Sequence, residues 1–245
     1  MIAVGDITLE TWLELQSIEA TNEFDKACQV ISILRDVPLD EVLDMPADEA
    51  LTIADDLVRL THQMSKPAAY VEVSGEDFYP IPFESLEFGA YIDLESLFSG
   101  EYRENVDKIL AILYRRRLTP PTDLTPGRYE DYEAYHIQRA PLFLEVPVRH
   151  IHGQVSKYVA WRDKLLKNYE GLFGDPEPAD DVEDEERLTA EESKAKAQED
   201  RVKKWSWQLF LWKLSGEDPL KMEEATRMPV LGAMNILSMI QELNL

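Results

Sequence analysis

From Thr8 onward, apolar residues recur at helical spacing. Leu9, Trp12 and Leu13, with Leu15 and Ile18 less regularly, predict an amphipathic helix for which Thr8 is a natural N-cap. Phe24, Ala27, Cys28, Ile31 and Leu34 predict a second helix over about 22–36, ended by Pro38. "PLDEVLDMPADEALTIADDLVRLTHQM" reads as a helix of one or two turns, a break at Met45-Pro46, and a long helix. The expected buried stripe of that long helix is Leu51, Ala54, Leu57, Leu60, Thr61 and Met64. After Pro67 the period becomes extended. "AYVEV", a Ser-Gly-Glu-Asp turn and "FYPIPF" predict a β-hairpin over 69–83. Its second strand should be short or at an edge, because Pro80 and Pro82 donate no ladder hydrogen bond. Helices follow near 86–98 and 103–117, then a turn-rich connector over 118–127 and helices near 129–139 and 146–171.

Sliding the chain by 79 positions aligns two of these predicted helix pairs without a gap. Trp12 falls on Tyr91, Leu13 on Ile92, Glu14 on Asp93 and Leu15 on Leu94, and the register continues through Val30/Ile109 to Leu34/Leu113. The matched positions are mainly apolar and spaced as buried faces, so the repetition reports architecture rather than a catalytic centre. The expected fold is mainly α, with a repeated helix pair (8–36 and 87–115) and one small hairpin in a body over 1–174. The two copies should be related by an approximate two-fold axis.

Residues 175–200 differ in kind. Twelve acidic residues against three basic ones cannot bury enough surface to offset ordering entropy, so the segment reads as an acidic linker. Beyond it, 201–245 is apolar again, with helices over 202–215 and near 229–243. The net charge of −23 over 245 residues disfavours phosphate backbones and hence direct nucleic-acid binding. One dense basic run, Arg115 to Arg117, is expected to close a helix, where cations suit the helix dipole. The start of the sequence has no signal-peptide pattern, and no stretch approaches the roughly 18 apolar residues of a membrane helix. A soluble cytosolic protein is the expectation.

Candidate chemistry is sparse. Cys28 lies on an apolar stripe and reads as a core thiol. His150 and His152 are two apart and would not share a helical face, while His62 and His136 stand alone, so no metal or cofactor is expected. Among many carboxylates, Glu14 and Asp93 are equivalent in the repeat and form the best acid pair, although surface roles suit both. "KKWSWQLFLWKL" is apolar nearly all round. It either docks on the body or meets a partner. The spacing assigns Trp205 and Trp212 to the inward face, and Trp207, Phe210 and Leu211 to the partner-binding face.

The C-terminal stretch resembles tail assembly chaperone-type proteins of tailed bacteriophages, particularly those of Bacteroidetes and the crAss-like phages. Trp207, Leu214, Asp218, Lys221, Glu223 and Pro229 fill a pattern recurring there, with Ala225 or Thr226 near its apolar site. "ITLETWLELQSI" with "VISILRDVPLDEV", and "LEFGAYIDLESLF" with "ILAILYRRR", are similar to helical pairs of those proteins, as "QRAPLFLEVPV" is to another element. The resemblance implies a helical non-enzyme in the host cytoplasm, or in the virion if it stays there. It would bind a phage structural protein, the tape measure or another tail or head component, with room for self-association. The alternative is a structural virion protein: a connector, tail or packaged component.

Overall fold

The computed structural model describes residues 7–61, 69–122, 127–173 and 206–243. It is mainly α, with a small antiparallel sheet. The helices are α1 (Leu9–Gln16), α2 (Glu23–Arg35), α3 (Leu39–Leu43), α4 (Ala47–Thr61), α5 (Phe88–Phe98) and α6 (Tyr102–Leu113). They continue with α7 (Val148–Asn168), α8 (Glu170–Phe173), α9 (206–214), α10 (Met222–Thr226) and α11 (Val230–Leu243). The strands β1 (Val71–Val73), β2 (Glu76–Pro80), β3 (Tyr114–Thr119) and β4 (Arg128–Tyr129) lie in that order in the sheet. Among the described residues, no helix is long and apolar enough to cross a membrane.

Local chemistry explains most of the starts and stops. Thr8 and Asn22 cap α1 and α2, accepting hydrogen bonds from the Thr11 and Asp25 backbone N–H groups. Asp36 ends α2 in the left-handed conformation (φ 49°), a place where aspartate is tolerated. The hairpin turns on Ser74-Gly75, both at positive φ (52° and 80°), a shorter turn than the four residues expected. β2 lies between β1 and β3 rather than at an edge. It accommodates Pro80 as its last residue, and the ladder passes to the Ile81 N–H, which donates to Leu113 O (2.9 Å).

Two expected helices and one expected stripe are corrected. The helix near 103–117 stops at Leu113, and Tyr114 through Arg117 enter β3, with Phe78 opposite Arg116 and Tyr79 opposite Arg115. A basic run following a helix suits the helix end and a strand start equally well, so charge alone does not decide between them. The segment near 129–139 is β4 followed by a 3-10 run over Ala134–Glu145, where Pro141 interrupts α-helical bonding. In α4 the inward stripe is Ala50 and Ala54 with Ile53 and Leu57 against the core, and Leu51 is exposed. Leu60 and Thr61 are helical, and Met64 lies outside the described residues.

The chain divides into two compact units. Unit 1 combines 1–81 with 96–159, and unit 2 combines 82–95 with 160–245. In unit 1, Cys28, Val30, Ile31 and Leu34 of α2 bury together with Val42, Ala50 and Ala54. Its other apolar mass joins α6 (Ile109, Leu110, Leu113) to the 3-10 run, with Phe143 edge-on to Phe78 (5.6 Å). Cys28 is fully buried, and burial, aided by Asp25, pushes its thiol pKa up. In unit 2, Val230, Ala233, Met234 and Leu237 of α11 are buried, and α11 packs on α8. The expected linker, 175–200, lies outside the described residues.

Candidate functional site

The repeat is visible as a pair of equivalent clasps. In unit 1, Leu9 N–H donates to Val146 O (2.9 Å) and Val148 N–H to Ile7 O (2.8 Å), so Thr8 and Pro147 form an isolated antiparallel bridge. In unit 2, Phe88 N–H donates to Met228 O (2.7 Å) and Val230 N–H to Leu86 O (2.9 Å), which pairs Glu87 with Pro229. Thr8 and Glu87 are the same position of the 79-residue repeat, as are the starts of α1 and α5 and of α2 and α6. Each clasp sets a Pro-Val at the start of a helix, where the missing proline N–H costs nothing. Ile7, Leu9 and Val148 are buried in the first clasp, and Leu86, Phe88 and Val230 in the second. The sequence carried the signal for the downstream half in its two Pro-Val dipeptides, Pro147-Val148 and Pro229-Val230.

The second clasp builds an aromatic seat. Phe88 and Tyr91 stack (6.5 Å), and Trp207 of α9 meets them edge-on at 6.1 Å and 5.4 Å. Trp161 approaches Tyr91 (6.4 Å) and Phe83 (5.5 Å) from α7. Burial pushes the Tyr91 hydroxyl pKa far up, with Glu95 adding to that and Arg162 opposing it. Glu95 is in turn held bidentate by Arg162 (2.5 and 2.7 Å).

Trp207, expected on the partner side, is half-buried, with its ring edge-on to Phe88 and Tyr91. Phe210 touches Trp207 (5.7 Å) and is half-buried, as are Leu211 and Trp212, while Leu209 is 49% exposed. Trp205 lies outside the described residues. Leu220, Met239 and Leu243 are exposed in the same unit.

A second constellation, in unit 1, joins residues that no motif in the sequence connects. Glu130 follows β4 and accepts a bidentate pair from Arg139 (2.5 and 3.1 Å) and the Arg116 backbone N–H (3.1 Å). His136 is fully buried, and its Nε2 lies 3.4 Å from Glu130 Oε1 without completing a hydrogen bond. Its Nδ1 accepts the Glu133 N–H (2.8 Å), capping the 3-10 run. Arg115 is also fully buried, with Nη1 donating to Glu130 O (3.3 Å) and the guanidinium 5.2 Å from the Tyr132 ring centre. Arg116 pairs with Glu76, and Arg117 lies over Tyr79 (3.7 Å). Burial alone would raise the Glu130 pKa, but the nearby His136 ring, the hydrogen bonds from Arg139 and Arg116 and the Arg139 charge outweigh it. The carboxyl is held far below the usual range. A carboxylate so firmly ionised is a weak proton acceptor, and its geometry is that of a joint between β3, β4 and the 3-10 run.

The remaining candidates lie on α1, α5 and α7 or outside the described residues. His150 and His152 both lie on α7, and His62 is outside the described residues. Glu14 is exposed on α1 in unit 1, and Asp93 is half-buried on α5 in unit 2. Among the described residues, no group of three or more His, Cys, Asp or Glu side chains is arranged to hold a metal ion. Compared with protein families, characterised proteins and solved structures, the chain matches none.

Proposed function

We propose that this protein is a phage morphogenesis chaperone that binds a tail or tape-measure component during virion assembly. The observation that carries the reading is the division of labour in unit 2. Trp207 anchors α9 on the aromatic seat, and the same unit keeps Leu209, Leu220, Met239 and Leu243 exposed. In this reading Phe210 and Leu211 flank the binding face around Leu209, and Trp207 supports it from behind. The net charge of −23 keeps an apolar-binding protein soluble and away from nucleic acid. The resemblance of "QRAPLFLEVPV" and the Trp207–Pro229 pattern to tail assembly chaperones supplies the client class.

Co-expression of the full chain with a tape-measure protein tests the proposal. The client should be soluble and co-purify, and Leu209→Asp should abolish capture while leaving the melting temperature within a few degrees. A client equally soluble without this protein, and absent from the purified fraction, would sink it. Mass spectrometry of purified particles separates the structural-component alternative, which requires stoichiometric presence in the virion.

A further inference from the structure

We infer that the outer face of α3 and α4, in unit 1, is a docking surface for a basic amphipathic helix of a partner protein. The inference stands on unit 1 alone and does not rest on the proposed client face in unit 2. The two short-spaced helices split their apolar residues cleanly. Val42, Ala50 and Ala54 enter the core at 1%, 0% and 6% exposure, while Leu39, Leu43 and Leu51 stand out at 37%, 46% and 37%. Leu39 and Leu43 are four apart and share one face of α3.

The surroundings of these leucines specify the partner. Between Asp36 and Val58 the sequence carries eight carboxylates and no lysine or arginine. The ion pair formed there by Asp56 uses Arg59, with both side chains largely solvated (3.1 Å). Like charges gathered around exposed leucines repel one another, and a helix presenting leucine-sized side chains flanked by lysine or arginine relieves both the repulsion and the exposed apolar area. An acidic or uncharged helix would gain only the second term. Such docking should weaken steeply as salt rises, since the carboxylates are solvent-facing.

The test uses the full-length protein and a fluorescent peptide of leucine at helical core spacing with lysine elsewhere, against a matched leucine–glutamate peptide. The lysine peptide should bind and the glutamate peptide should not. The variant Leu43→Glu/Leu51→Glu should weaken binding at least tenfold with unchanged helical circular dichroism and melting temperature. This substitution makes the chain more acidic, so attraction to net charge alone would leave binding equal or tighter, and that result overturns the inference. Asp44→Lys/Asp55→Lys is the second variant, leaving the leucines in place; it should also lose affinity and flatten the salt dependence, and retained affinity counts against the inference. Leu209→Glu/Leu220→Glu separates this surface from the unit 2 face. Loss of peptide binding there, with none at Leu43 and Leu51, would transfer the docking site to unit 2 and refute it here.

Discussion

Two copies of one helix pair begin alike and end differently. Both start behind a single bridge to a Pro-Val helix, and both second helices start at the same repeat position, Glu23 in one and Tyr102 in the other. They part after Leu34 and Leu113. The first copy turns at Asp36, in the left-handed region, and returns as α3 and α4. The second runs directly into β3 and carries three arginines into the sheet. The shared part is backbone scaffold, and the divergent part is where each copy acquires its own surface: an acidic, leucine-studded face in one, an arginine–glutamate joint in the other. The repeat keeps how a helix pair is held and varies what it leads to.

The comparison breaks most sharply at the clasps themselves. Phe88→Ala should destabilise by about 3–5 kcal/mol and Leu9→Ala by about 2–5 kcal/mol, since both side chains are fully buried. Urea denaturation measures both, and a neutral result at either would remove that clasp from the core.

The next largest effect belongs to the second copy's joint. Glu130→Gln leaves the half-buried Arg139 without its carboxylate and should cost about 2–3 kcal/mol. Because the folded pKa of Glu130 lies below its unfolded value, its stabilisation is fully present above about pH 5. It is lost as pH falls below the unfolded value of about 4.3 toward the folded one. The variant should therefore show a flatter acid limb than the parent, in stability measured from pH 6 down to pH 3. Parallel acid limbs would show that the ion pair contributes nothing.

A smaller effect distinguishes matched positions just inside the clasps. A β-carbon on Gly89 would lie 2.9 Å from Thr226 Cβ and 3.2 Å from its carbonyl oxygen, so Gly89→Ala should cost about 1–3 kcal/mol despite alanine's helix preference. Its counterpart Glu10 is exposed, and Glu10→Ala should stay within about 0.5 kcal/mol. Smallest is the cap: Thr8→Ala removes the acceptor for the Thr11 N–H (3.2 Å) and should cost about 1 kcal/mol in thermal denaturation.

Helical spacing made α1, α2, α4, α7 and α11 readable, because each buries a stripe that recurs in sequence. The 79-residue register holds at the observed helix starts, Leu9 with Phe88 and Glu23 with Tyr102. What spacing could not reveal was partnership between distant segments. Arg115 is buried because Glu130 and Tyr132 cover it, and nothing in "RRR" announces that. His136 looked solitary because its neighbour Glu130 lies behind a chain reversal. The spacing within α9 does not separate its faces, because apolar side chains occur on every one. The Trp207 ring meets Phe88 and Tyr91, more than a hundred residues earlier, a contact that no local spacing contains.

The order in which the clasps use the chain has a consequence for synthesis. Thr8 meets Pro147, while Glu87 lies inside that span and meets Pro229 beyond it, so the two closures are crossed rather than nested. On a ribosome, Leu9 waits for Val148 to emerge, and Phe88 goes on waiting until Val230 does. Both closures are long-range, which favours slow folding with apolar helix starts uncovered meanwhile. A single nick anywhere between Phe88 and Val146 would leave each clasp shared by two fragments. Each fragment would then hold the complementary half of both joints, and the two could reassemble only with each other.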